Sequence, residues 1–299
     1  MTSPYVLFTG PIFIGSFLNW GFFGILILQV YHYFESFPED RLGVKVFVYT
    51  LLALDTIQSV FATAFAWNIL VDGWGNPVVF AQFTWAGVTI PLMTGLVSAI
   101  VQIFFAWRIW ILKPNSMLAH CMSFLIVVVA LLQCSSAFAG AVKFALASND
   151  IKQFLTLTPV VKIWLAGSFV CDILIAGSMI WILTEARSSS EFQPTDSLIT
   201  KLIINTVETG AVTAATALVQ LILFLTMGNS NFVFEVPALL LGKLYSNVVL
   251  ATLNGRLRNR EIVQNSQLRS VGPMTTVDRS DQTIVQVSTD ITSDGKGIA

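Results

Sequence analysis

Four ionisable side chains stand in stretches otherwise suited to an apolar medium: Asp55, Asp172, Glu208 and Lys243. A charge at the centre of a bilayer costs about 2.5–3.5 kcal/mol on insertion scales, so such groups turn toward a partner, an ion pathway or a wet cavity. Three acids and one lysine permit three arrangements. Lys243 could pair with Asp55 or Asp172, the carboxylates could relay protons or cations, or the set could line a buried ligand site. Polar neighbours recur at helical spacing. Gln58 is i+3 from Asp55, Asn205 is i−3 from Glu208, and Ser246 and Asn247 are i+3 and i+4 from Lys243, with Asn254 farther along the same side. Thr94, Ser98 and Gln102 form an i, i+4, i+8 stripe after Pro91, where a kink is expected. Asp55, Gln58, Thr94, Ser98, Gln102, Asp172, Asn205, Glu208, Lys243 and Asn247 therefore make up the expected polar seam or ligand site. The simpler alternative is that they only lock helix to helix.

Other chemistries lack their parts. The two histidines, His32 and His120, sit near the ends of apolar runs, too few for a zinc-ligand set. There is no Gly-rich phosphate loop and no Gly-x-Ser-x-Gly elbow. We expect no enzyme, no metal and no cofactor. Net charge is −1, which gives no basic field for nucleic acid. Lys243 halfway along a last span raises a retinal-type photoprotein, but the third span has no Asp or Glu to serve as counter-ion. A membrane cyclase using the buried acids is a further minor alternative.

The elements that must hold these residues are membrane spans. Charged residues are 11% of 299 and mean hydropathy is +0.75. No charge occurs over 1–34, 73–107, 114–142 or 209–234, runs of 34, 35, 29 and 26 residues. A bilayer core of about 30 Å needs roughly 20 apolar helical residues. Seven spans follow, at about 8–33, 46–70, 83–112, 117–142, 160–184, 201–226 and 233–254, within a transmembrane domain over 1–258. Turn residues fill the breaks, with the fourth link over 143–158 the longest on its side. The expected class is an all-α seven-helix bundle.

Arg41, Lys45, Arg108, Lys113, Arg187, Lys201, Arg256, Arg258 and Arg260 flank one side of these spans; Lys143, Lys152 and Lys162 flank the other. Lys and Arg concentrate on the cytosolic side, which puts the amino terminus outside and the carboxyl tail in the cytosol. Arg256, Arg258 and Arg260 lie where they could touch anionic lipid. The tail, 259–299, is rich in Ser, Thr and Gln and poor in large apolar residues, so disorder is expected. Small residues at Gly10 and Gly15, Gly21 and Gly24, and Gly210, Ala214 and Ala217 suggest close helix contacts. A plasma membrane is expected before an internal one.

Spans five to seven carry a composite run: Asp172-Ile-Leu-Ile-Ala-Gly-Ser, Thr195-Asp196-Ser197-Leu198, Asn205-Thr206 with Thr209-Gly210, and Lys243-Leu-Tyr-Ser-Asn247-Val-Val-Leu-Ala-Thr-Leu-Asn254-Gly-Arg256. Over 166–256 this resembles a family of seven-span membrane proteins of mushroom-forming fungi, defined only as a domain of unknown function. The resemblance implies that layout and a basidiomycete source; it supplies no ligand, reaction or catalytic residue. The expected role is a receptor-like or sensor protein, with a cation or proton transporter or channel as the alternative.

Overall fold

The computed structural model describes the backbone of residues 5–81, 85–146, 151–188, 193–228 and 230–270, and side chains over 5–76, 78–80, 85–143, 159–185, 210–228 and 230–256. Every regular element among them is helical. The long helices are α1 (Val6–Ser36), α2 (Leu42–Trp67), α3 (Trp85–Leu112), α4 (Met117–Leu146), α5 (Ile151–Ser188), α6 (Gln193–Met227) and α7 (Glu235–Ser270). Seven helices are long and apolar enough to cross a membrane. The chain is a multi-pass membrane protein in layout.

Local chemistry sets the helix ends. α1 stops at Phe37, whose backbone leaves the helical region (φ −131°) because Pro38 follows. Ser116 caps α4, accepting the Ala119 N–H at 3.4 Å. α2 runs on through a π-helical turn, Asn68–Asp72, before Gly75 reverses the chain at a positive φ of 78°. A short 3-10 turn, Pro77–Ala81, leads to α3, which continues unbroken through Pro91.

Three boundaries differ from the sequence reading. The 143–158 link is helical up to Leu146 and again from Ile151, and α6 already begins at Gln193. α7 continues to Ser270, into the segment read as tail, while 271–299 lie outside the described residues. The physical reason is common to all three: extending a helix adds one hydrogen bond per residue, whereas starting one is costly. Polar helix formers such as Arg, Glu and Gln therefore prolong a span past the hydrocarbon.

The helices form a ring in chain order, closed by α1 against α7, with α3 also touching α5 and α7. α7 is the most enclosed span and α3 the next. α1 and α7 run parallel in a single register. Phe232 N–H donates to Leu7 O at 3.2 Å, Asn247 Nδ2 to Phe22 O at 3.2 Å and Asn254 Nδ2 to Gln29 O at 2.9 Å, and all three pairs share an offset of 225 residues. Asn19 Nδ2 adds a bond to Leu239 O at 2.8 Å.

Gly15 permits this approach, since a Cβ there would lie 3.3 Å from the Val236 Cα. Gly10, Gly21 and Gly24 face open space, so close contact is not their role; Gly210 does meet the Ala176 methyl. The end of the bundle where α1 begins is closed by Tyr5, Phe8, Phe80, Phe232 and Phe234 in successive ring contacts. At the opposite end Arg256 grips Asp40 with both terminal nitrogens, at 3.3 and 2.6 Å, and lies over the Phe37 ring.

Candidate functional site

Lys243 is the centre of the first polar cluster. It sits on the most enclosed helix, and its side chain is 0% exposed, as is that of Asp55. Its Nζ donates to the Asp55 carboxylate Oδ1 at 2.9 Å, to the Asp55 backbone O at 2.5 Å and to Gln58 Oε1 at 3.3 Å. The Phe23 ring covers it at 5.2 Å. Of the two acids the sequence offered as partners, Asp55 is the one that pairs.

The surroundings explain why this geometry forms. Asp55 and Gln58 are neighbours on one face of α2, so a single ammonium reaches both. Gln58 turns its Nε2 to Thr94 Oγ1 on α3 at 2.9 Å. Gly242 leaves room for this: a Cβ there would lie 2.9 Å from Gln58 Oε1. Ser59 Oγ bonds the Asp55 carbonyl at 2.9 Å. The cluster is nevertheless incomplete. Asp55 Oδ2 and Ser246 Oγ are buried close to each other but do not reach ordinary hydrogen-bond geometry.

A second cluster lies across α7. Successive helical residues turn by about 100°, so Tyr245 points to nearly the opposite side from Lys243. Its hydroxyl donates to Asp172 Oδ2 at 2.9 Å. Gln102 Nε2 makes a long contact of 3.5 Å to Asp172 Oδ1, and Gln102 Oε1 accepts from Gln133 Nε2. Ser168 Oγ donates to Gln133 Oε1 at 2.6 Å, completing a chain through α7, α5, α3 and α4. Tyr245, Gln102 and Thr213, the partners of Asp172 among the described residues, are all neutral. Beside it lies a cavity of about 30 Å³, bordered by Gln102, Thr213, Tyr245 and Val248, with room for water.

The remaining sequence-derived residues divide as follows. Ser98 is buried but bonds only to its own helix, at Gly95 O. Asn247 stitches α7 to α1 and to the Lys243 carbonyl, and so stands outside the Lys243–Asp55 cluster. The side chains of Asn205, Glu208, Arg258 and Arg260 lie outside the described residues. Arg256 directs both terminal nitrogens to Asp40. Tyr245, Gln133 and Ser168 escaped the sequence reading. A lone Gln within the charge-free run of span four was a visible signal; a Tyr among apolar residues was not. Among the described residues no three His, Cys, Asp or Glu side chains converge as a metal set.

Residues 168–258 match a family of unknown function (DUF6534). No curated protein and no solved structure matches the chain. The matched stretch contains Asp172, Lys243, Tyr245 and Asn247. Their partners Asp55, Gln58, Thr94 and Gln102 lie before it, so both clusters join the matched helices to the unmatched ones.

Proposed function

We propose that the chain is a non-enzymatic membrane receptor or sensor whose output is a shift of α7 between two packings. Its amino terminus lies outside and its tail in the cytosol, in a plasma membrane. The observation that carries this reading is the Lys243–Asp55 pair, fully enclosed, with the Ser246 hydroxyl beside the Asp55 carboxylate but outside ordinary hydrogen-bond geometry. Replacing a buried ion pair by packed apolar residues is often neutral or stabilising, so the pair is a weak means of stabilisation. It does suit an element with discrete alternative arrangements. Besides its apolar packing in the core, α7 bonds α1, α2 and α5 through discrete polar contacts, each of which either forms or breaks. The orientation rests on nine Lys and Arg flanking one side against three on the other. The fungal source is carried by the resemblance.

The test is a distance measurement between spin labels at the Arg256 ends of α3 and α7, on the protein in lipid nanodiscs. Lys243→Met should add a second distance population to the one seen in wild type. An unchanged single population in a folded variant would refute the switch.

One observation favours a transporter instead: among the described residues Asp172 has only neutral partners, and it borders a cavity with room for water. A buried carboxylate of that kind can take up a proton or a small cation. Proteoliposomes that pass protons or sodium, and stop doing so with Asp172→Asn, would decide for it.

A further inference from the structure

A groove of about 450 Å³ opens sideways from the bundle between α1, α2 and α3. Because these helices are long and apolar enough to span the membrane, lipid is the medium the groove opens to. Three tryptophans form its walls: Trp20, Trp67 and Trp85, each about half exposed or more. Two of them have their polar edge tied down. Trp20 Nε1 donates to Thr63 Oγ1 at 2.9 Å, and Trp67 Nε1 to Asp72 Oδ1 at 3.2 Å. Their ring faces are thereby held in place for apolar contact, without a polar group of their own to satisfy.

The upper end of the groove is different. Asn68 opens the π-helical turn, a kind of local defect that recurs at functional sites. Its side-chain amide makes no hydrogen bond to any described residue. An amide offers both a donor and an acceptor, which together match one hydroxyl. From Asn68 the groove runs down α2 to Val60, eight residues and about 12 Å deeper. Asn68 lies near the end of the span, at the depth of the headgroups, with Trp67 and Trp85 beside it as interfacial tryptophans.

Charge selects among lipids. The lining holds no Lys or Arg, and the Asp72 carboxylate stands four residues beyond Asn68. An anionic headgroup would meet a second negative charge there with no cation to offset it. A phosphatidylcholine headgroup, whose own ammonium spares it that repulsion, has no hydroxyl to match the amide. A neutral lipid with a single hydroxyl would meet none of this. We propose that the groove binds a sterol from the leaflet on the amino-terminal side. Its hydroxyl sits on the Asn68 amide, and its flat ring body lies along Val60 and Ala64 between the tryptophan faces. The site is separate from the buried polar clusters and does not depend on what those clusters do.

The test uses the full-length protein in phosphatidylcholine nanodiscs containing a diazirine-bearing sterol. Cross-linked residues are mapped by mass spectrometry after illumination. Labelling should be saturable, should fall on the α2 segment 60–68 or its facing tryptophans, and should be displaced by unlabelled sterol. Val60→Trp fills the groove from a position more than half exposed, so it leaves the interior packing alone. Asn68→Leu removes the amide. Each should weaken apparent sterol affinity about tenfold or more, with the thermal midpoint unchanged. Sterol labelling that does not saturate, maps elsewhere or survives both substitutions overturns the proposal. Equal labelling by a diazirine phosphatidylcholine would do the same, by making the groove a general lipid contact.

Discussion

Consider the three variants Asp55→Leu, Lys243→Met and the double substitution, unfolded by SDS from micelles and followed by circular dichroism. Lys243→Met leaves a carboxylate at 0% exposure with no counter-charge and only the poorly aligned Ser246 hydroxyl beside it. Asp55→Leu leaves the ammonium with only two carbonyl-type oxygens, Asp55 O and Gln58 Oε1. Removing one partner of a buried pair costs about 3–5 kcal/mol. The singles should therefore sum to more than about 6 kcal/mol, while the double, with no charge left to solvate, should lie within about 1 kcal/mol of wild type or above it. Asp55→Asn is the calibrating case. It keeps an oxygen where Oδ1 stands and should lose only about 1.5–3 kcal/mol, the range for a hydrogen bond to a charged group. If the double variant loses the sum of the two singles, the pair is not coupled, and the account of Lys243 given above fails.

Gly242→Ala should drive a methyl against Gln58, displace it from Thr94 and cost about 1–3 kcal/mol, read as a lowered thermal midpoint. Asp172→Asn keeps an acceptor for Tyr245 and should change stability by less than about 1.5 kcal/mol. Tyr245→Phe orphans the carboxylate oxygen and should cost more than Asp172→Asn; the reverse order would mean that Tyr245 contributes nothing to holding Asp172. Arg256→Ala removes two contacts to Asp40 and the Phe37 stacking, and should cost about 1 kcal/mol because the pair is partly exposed, with a smaller effect at high salt. A cysteine introduced at Ser280 should react with an impermeant maleimide only after cells are permeabilised, and labelling of intact cells would reverse the proposed topology.

Much of the architecture was legible before any coordinates. Charge-free runs longer than a bilayer is thick cannot be hidden in one water-soluble globule of this size, so the span count followed from residue type and spacing alone. Helical periodicity likewise put Gln58 beside Asp55 and aligned Thr94 with Gln102, because neighbours at i+3 and i+4 share a face whatever the tertiary fold. Helix ends were less legible. α7 runs on to Ser270 because propagation favours helix in polar sequence as well as apolar, and hydropathy carries no mark of that.

Only the packing of the ring decided which groups meet. Two acids lay at similar depth to Lys243; rotation of α7 about its own axis turned Lys243 to Asp55 and gave Asp172 to Tyr245, two residues on. The partner of an ionisable group depends on the azimuth of a neighbouring helix, a quantity no local pattern encodes. The same holds for the tryptophan-walled groove, whose three rings come from three different helices.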